Sequence, residues 1–192
     1  MPNPFLPDVV ESAIRFAARA HRTQLRKGCD LPYLVHPAAV ATILERAGFG
    51  DEILLAAAWL HDVVEDTDAT LEALAAEFPA EVVEIVDGMS EKKRDAEGKL
   101  LSWAHRKAHH IGLMQTASLE TKTVMLADKL HNMISMSVDA SREPNIWDRF
   151  TSTREALLQY YRDMVATTNS VEPLTSLREE CERVLDSLAA LD

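Results

Sequence analysis

The stretch from residue 54 to residue 67, LLAAAWLHDVVEDT, constrains the fold more than any other part of the chain. Its first seven residues would be apolar on every side of a helix, and such a helix belongs in a protein interior. The polar residues that follow are His61, Asp62, Glu65 and Asp66, and helical spacing places them on one side. Three carboxylates at the C-terminal end of a helix repel one another and oppose its dipole. The stretch therefore predicts a buried helix whose acidic end is compensated by a cation.

A second interpretation of the same stretch needs no ligand. His61 and Asp62 would then cap a buried helix, and the acids would form a solvated face. Because a histidine followed by an aspartate recurs by chance, partners elsewhere in the chain must decide between the two interpretations.

Length and charge limit the kinds of partner. A chain of 192 residues fits one domain, 1–192, with a full core, and its formal net charge is −11. Nucleic acids and anionic membranes require a basic surface, so we expect neither as a partner. Two cysteines without ligand-like spacing, and no export or membrane-span pattern, predict a soluble cytoplasmic protein. The sequence leaves the oligomeric state undecided between monomer and homodimer, and self-association would use apolar or mixed surfaces.

Helical periodicity predicts an all-α bundle of about eight to ten helices. Beside the central helix, which Asp51 would cap, helices are predicted over 9–26, 38–47, 71–78, 79–86, 101–114, 119–136, 146–165 and 174–191. Residues 87–98 are polar, charged and without periodicity, which predicts an exposed and mobile loop. His105 and His109 have i,i+4 metal spacing but no acidic partner nearby, which favours surface histidines.

Metal-type ligands interrupt otherwise apolar surroundings at three places: His36 at a helix start, His61 with Asp62, and Asp128 within a helix. Two imidazoles and two carboxylates suit Mn²⁺, Fe²⁺ or Zn²⁺, whereas Ca²⁺ prefers oxygen ligands alone. Spacing leaves open whether Asp128 is instead a buried acid satisfied by His131.

Four blocks of the sequence form one ordered pattern: AHRTQLRK (20–27), PYLVHPAAVATIL (32–44), AAWLHDVVEDTDATLEAL (57–74) and VMLADKLHNM (124–133). Together they resemble the HD-domain phosphohydrolases, and more narrowly the RelA/SpoT-type alarmone hydrolases in their short, hydrolase-only form. The resemblance implies an HD-type helical bundle with its motif core in 20–133 and wrapping helices in 146–191.

The resemblance also implies the chemistry. His36, His61, Asp62 and Asp128 would bind one Mn²⁺, and Glu65 and Asp66 would act beside the metal. The substrate would be the guanine nucleotide alarmone (p)ppGpp of the stringent response, which would lose its 3′ pyrophosphate to give GDP or GTP. Since no synthetase domain follows in this chain, we expect degradation of the alarmone and not synthesis.

Four residues are candidate substrate contacts. Arg26 would stack on the base and Lys27 would contribute charge, although a basic helix end explains both without a ligand. Asn132, one turn past Asp128, would reach ribose or phosphate. Lys107 resembles a phosphate contact of the short hydrolases, with a solvated helix face as its alternative.

The chain departs from the family pattern at Thr23, where glycine is common, and in the segments KGCDLPY and MSEKK. Arg149 and Arg154, close in sequence to Trp147 and Phe150, are candidates for closing the pocket. Two other functions stay open. One is hydrolysis of another nucleotide phosphate, such as the 2′ phosphate of NADPH, and the other is a catalytically silent nucleotide-binding regulator.

Overall fold

The computed structural model describes residues 3, 5–91, 93, 94, 97–142 and 145–191. Within these residues the structure is helical, and β structure is limited to the isolated bridges Leu25–Pro32 and Arg94–Leu100. The chain folds as two compact units, residues 1–90 and residues 91–192. The predicted all-α class is confirmed. The single-domain boundary of 1–192 stays a prediction.

The first unit is built around a short apolar helix. Its helices are α1 (Asp8–Ala20), α2 (Val35–Arg46), α3 (Glu52–Leu60), α4 (Val63–Asp66), α5 (Leu71–Glu77) and α6 (Ala80–Met89). Helix α3 packs against α1, α2 and α6, and six of its nine residues are buried. Asp51 caps it by accepting hydrogen bonds from the backbone N–H groups of Ile53 and Leu54. The predicted core helix and its cap are both present.

The second unit is built around a long helix. Its helices are α7 (Trp103–Thr116), α8 (Leu119–Ala140), α9 (Arg154–Ala166) and α10 (Thr175–Ala189), with 3₁₀ turns at Ile146–Arg149 and Glu172–Leu174. Helix α8 packs against α10, which also contacts α9, and α7 contacts α9. Half of the 22 residues of α8 are buried, so this helix carries the core of its unit.

Two predicted helices are shorter than expected because local hydrogen bonds compete with the helix. Helix α1 ends at Ala20 and not at residue 26. The following residues form a hairpin-like loop, in which Tyr33 N–H donates to Gln24 O and Arg26 N–H donates to Leu31 O. The predicted helix 146–165 is broken before α9, because Thr153 is the N-cap of α9 and accepts from the N–H of Ala156.

The prediction of an exposed loop over 87–98 is wrong in its first part. Residues 87–89 complete α6, and both Met89 and Glu91 are buried. Lys92, Asp95 and Ala96 of this segment lie outside the described residues. Across the part of the chain that the structure describes, each helix is too short or too polar to cross a lipid bilayer.

Candidate metal centre and acid pair

Two buried histidines of the first unit present the same ring nitrogen to each other. His36 lies in the first turn of α2, and His61 directly follows α3. The Nδ1 atom of His61 lies 2.7 Å from the carbonyl oxygen of Ala58, which can only accept, so Nδ1 carries the proton. In neutral His61 the Nε2 atom is therefore unprotonated and can offer its lone pair to a metal ion. It lies 3.1 Å from Nε2 of His36. This is the tautomer that a metal ligand requires.

Asp62 completes a triangle of donor atoms with the two histidines. Its Oδ2 lies 3.0 Å from Nε2 of His61 and 3.4 Å from Nε2 of His36. Ligand atoms at about 2.1 Å from an ion lie about 3.0 Å apart at right angles and about 3.4 Å apart at the tetrahedral angle. The three separations therefore match one face of a metal coordination shell, and the donors fit a borderline divalent ion.

The charges at this triangle also favour a cation. Burial opposes ionisation of Asp62, but His61 and His36 outweigh it and hold the pKa of the Asp62 carboxyl well below its usual range. This lowering requires N–H groups or positive charge on the imidazoles; with neutral imidazoles that present unprotonated Nε2 atoms, the carboxylate and the two nitrogens would repel one another at these separations. A proton or a metal ion among the three atoms removes that repulsion.

Tyr33 contacts two of the three metal-type donors, and our sequence reasoning did not single it out. Its hydroxyl donates to Oδ2 of Asp62 at 2.5 Å, and its ring lies edge-to-face against His36 with centroids 5.7 Å apart. The Arg26 guanidinium lies 5.5 Å from the centroid of the same ring. Because α1 ends at Ala20, the alternative that Arg26 and Lys27 form a basic helix end is wrong.

The acid pair, Glu65 and Asp66, follows His61 and Asp62 in a separate helical turn. The predicted continuous helix is interrupted after Leu60, and Asp62 has φ −103° and ψ −4°, a backbone region found in many active sites. Helix α4 then carries Glu65, which is half-buried, and Asp66, which is exposed and donates its N–H to the Asp62 carbonyl. The interruption places both acids in the first turn of α4 and not at the C-terminal end of α3.

In the second unit, Asp128 is a buried carboxylate with two neighbours on its own helix. Lys129 Nζ donates to Oδ2 at 2.6 Å, and Asn132 Nδ2 donates to Oδ1 at 2.5 Å. Burial would lower the pKa of Lys129, but Asp128 and the phenols of Tyr160 and Tyr161 outweigh it and hold that pKa well above its ordinary value. Lys129 is therefore charged, and our sequence reasoning missed it although it lies inside the LADKLHNM block.

Lys107 belongs to a buried charge cluster in the second unit. Its Nζ lies 2.6 Å from Oε2 of Glu91, and Arg106 Nη1 lies 2.5 Å from Oε1 of the same carboxylate. The Lys107 side chain is 22% exposed, so the solvated-face alternative for it is wrong. His105 and His109 are exposed, as predicted.

The two arginines proposed to close the pocket make structural contacts within the second unit. Arg149 donates to Asp139 at 2.8 Å. Arg154 donates to the carbonyls of Ala189 and Leu191, and its guanidinium lies 5.2 Å from the Trp147 ring centroid. These contacts tie the start of α9 to the end of α10.

Sequence relatives of the chain are hydrolases and longer nucleotide enzymes. The human guanosine-3′,5′-bis(diphosphate) 3′-pyrophosphohydrolase MESH1 is 42% identical over 123 residues, covering 63% of this chain and 65% of that protein. The Xenopus tropicalis MESH1 is 39% identical over 129 residues, covering 65% and 68%. A GTP pyrophosphokinase of Myxococcus xanthus is 38% identical over 135 residues, covering 69% of this chain but only 17% of that longer protein.

Solved structures and a family model extend the similarity along the chain. A metazoan ortholog of SpoT, described as hydrolysing ppGpp, superposes with a TM-score of 0.79 at 27% identity, covering 99% of this chain and 100% of that one. A protein of Listeria monocytogenes EGD-e superposes with a TM-score of 0.70 at 32% identity, covering 80% and 97%. The HD-domain model matches residues 13–155. The chain therefore belongs to the HD-domain family, and MESH1 and SpoT-like ppGpp hydrolases are among its relatives.

Proposed function

We propose that this chain is a Mn²⁺-dependent (p)ppGpp 3′-pyrophosphohydrolase that releases GDP or GTP and pyrophosphate. The observation that carries the proposal is the triangle of donor atoms formed by His36, His61 and Asp62, with separations of 3.0–3.4 Å. The relatives named as 3′-pyrophosphohydrolases supply the substrate class. The chain spans 65–68% of the two MESH1 proteins and 17% of the longer GTP pyrophosphokinase. The activity of those whole proteins is therefore a proposal for this chain.

In this proposal Asp128 of α8 is the fourth ligand. A second carboxylate would add an anionic oxygen ligand to a divalent ion that already binds two neutral imidazoles and one carboxylate. Lys129 and Asn132 each donate to one oxygen of Asp128 and so fix the carboxylate plane. A bound ion would supply a water of lowered pKa and polarise the attacked phosphoryl group.

Glu65 and Asp66 act on the attacking water. A carboxylate close to a cation is a weak base, so one acid of the pair orients the water while the other accepts its proton. Arg26 stacks on the guanine base, as it already does on Tyr33, and Lys27, Lys107 and Asn132 contribute charge or hydrogen bonds to the nucleotide. The protein acts in the cytoplasm, and homodimer formation stays a hypothesis.

The test incubates metal-stripped protein with guanosine tetraphosphate, with and without Mn²⁺, and separates the products by ion-exchange chromatography. We expect Mn²⁺-dependent release of GDP and intact pyrophosphate. Release of single phosphates, or turnover of NADPH in place of the alarmone, would refute the assignment. A protein that binds Mn²⁺ and the nucleotide without turning it over would be the silent regulator.

Matched variants test the acid pair. Glu65→Gln and Asp66→Asn should each abolish turnover while Mn²⁺ binding, measured by calorimetry, is retained. The control is Glu45→Gln, which removes one exposed carboxylate nine residues past His36 on α2, about 13 Å along the helix axis. Full activity in both acid variants would show that the proposed mechanism is wrong.

A further inference from the structure

Asp66 has a hydrogen-bond donor that no part of the proposed mechanism uses. Gln24, in the loop after α1, places Nε2 at 3.4 Å from Oδ2 of Asp66. Both side chains line a cleft of about 520 Å³ in the first unit, together with Phe16, Arg19 and Thr67. The two residues are 42 positions apart in sequence, so the fold and not local structure brings them together.

The orientation of the Gln24 amide follows from its two neighbours. An ionised carboxylate only accepts hydrogen bonds, so the NH₂ group of Gln24 must face Asp66. The amide oxygen then faces Nδ1 of His21 at 2.6 Å, and His21 must donate from that nitrogen. With its proton on Nδ1, His21 donates to the amide oxygen and stabilises the amide orientation that also suits Asp66.

Backbone bonds and packing hold this pair in place. Gln24 N–H donates to the carbonyl of His21 at 3.0 Å, and Gln24 O accepts from Tyr33 N–H at 2.9 Å. The His21 ring is 3% exposed and packs on the Tyr33 ring with centroids 4.8 Å apart. Tyr33 in turn donates to Asp62, so one small cluster contacts both the metal-type donors and the acid pair.

The remaining nitrogen of His21 points to a role beyond packing. In the described part of the chain, Nε2 of His21 is buried without a hydrogen-bond partner. Leaving a buried polar atom unsatisfied is destabilising, and an apolar ring would avoid that cost. The bond from Nδ1 to Gln24 is the feature of His21 that an apolar ring cannot replace.

We propose that Gln24, held in one orientation by His21, is a positioning residue that aims the Asp66 carboxylate at the attacking water. This inference rests on the proposed function, because it takes Asp66 as one of the acids that act on water. Gln24 contacts neither the substrate nor the metal-type donors in this role; it acts through Asp66.

The primary test compares kcat, KM and Mn²⁺ affinity in Gln24→Met and in its control Gln159→Met. Gln159 also donates its amide to an aspartate, Asp163 at 2.8 Å, but on the exposed face of α9. Misplacing a catalytic group by about 1 Å can cost about 100-fold in rate, so we expect Gln24→Met to lower kcat by about 10- to 100-fold. KM and Mn²⁺ affinity should stay at wild-type values, and Gln159→Met should behave as wild type. A wild-type kcat in Gln24→Met would overturn the inference.

A pair of His21 variants separates hydrogen bonding from packing. His21→Asn places an amide donor near the position of Nδ1 but loses the ring, whereas His21→Phe keeps the ring and loses the donor. We expect His21→Asn to retain a kcat closer to wild type than His21→Phe. The reverse order would overturn the inference in favour of a purely structural role, and melting curves measured by circular dichroism establish that each variant is folded.

Asp66→Asn distinguishes failure of this inference from failure of the proposed function. An inactive Asp66→Asn protein beside a fully active Gln24→Met protein would refute only the positioning role. A fully active Asp66→Asn protein, or a wild type inactive on the alarmone, would refute the proposed role of Asp66, and the inference would fall with it.

Discussion

Glu91 is the residue whose replacement should affect stability most clearly. Its carboxylate side chain is 2% exposed and accepts from Arg106 at 2.5 Å and from Lys107 at 2.6 Å. The side chains of these cations are 23% and 22% exposed, and His110 lies 3.9 Å away. Glu91→Gln keeps the volume of the side chain but removes the negative charge that the largely buried Arg106 and Lys107 share.

The expected cost follows from the burial of the cluster. Breaking a buried ion pair by removing one partner costs about 3–5 kcal/mol, because the remaining charge is not compensated. For a chain of 150–250 residues, each kcal/mol lowers Tm by about 2–4 °C. We therefore expect Glu91→Gln to melt about 10 °C below the wild type when unfolding is followed by circular dichroism at pH 7.

The pH dependence of the difference in Tm between Glu91→Gln and the wild type gives an independent check. Burial raises the pKa of Glu91, but Lys107, Arg106 and His110 outweigh burial and hold the pKa below that of an ordinary glutamate. A carboxylate with a lowered folded-state pKa stabilises the protein above its unfolded pKa of about 4.3, and that stability is lost as the pH falls through the folded-state value. The difference in Tm should therefore shrink as the pH is lowered below about 4.3.

The control for this experiment is Glu97→Gln, which removes an exposed carboxylate six residues further on. It should melt within about 1–2 °C of the wild type, as surface substitutions generally do. The charge cluster would not stabilise the second unit as argued if Glu91→Gln had the same Tm as that control. The same would hold if the Tm of Glu91→Gln stayed equally far below the wild type at pH 3.

Three further predictions concern the first unit. Tyr33→Phe removes the hydroxyl that donates to Asp62, so Mn²⁺ affinity measured by calorimetry should fall about 10- to 100-fold with little change in Tm. Mn²⁺ at 100 times its Kd should raise the free energy of unfolding by about 2.7 kcal/mol, and His36→Ala or His61→Ala should remove that gain. Asp51→Ala should lower stability by about 1 kcal/mol, measured by urea denaturation, because α3 loses its N-cap; an unchanged midpoint would contradict the cap assignment.

The elements that the sequence predicts correctly are those governed by local rules. The apolar character of α3 and its Asp51 cap both follow from residues within one or two helical turns. His36 and His61 are identifiable because a polar group that interrupts an apolar surface is visible in the sequence itself.

The features that the sequence does not reveal depend on contacts between distant residues. Tyr33 donates to a residue 29 positions away, and Glu91 accepts from residues 15 and 16 positions away. No periodicity encodes such pairs, so the sequence pattern places Glu91 in an exposed loop and does not reveal that Lys107 is its partner. The end of α1 is mispredicted for the same reason, since residues 24 and 26 bond across the loop to residues 33 and 31.

The interruption between α3 and α4 explains how the acids are tolerated. In a continuous helix, Asp62, Glu65 and Asp66 would crowd one face at the end of a buried dipole. The Ala58 carbonyl instead accepts the His61 imidazole N–H, and Asp62 adopts a bridge-region backbone that begins a new turn. The same hydrogen bond that accompanies the break also fixes the His61 tautomer. The break therefore places Asp62 at the N-cap of α4, with Glu65 and Asp66 in the first turn of that helix and not at the C-terminal end of α3, and the same local arrangement prepares a metal ligand.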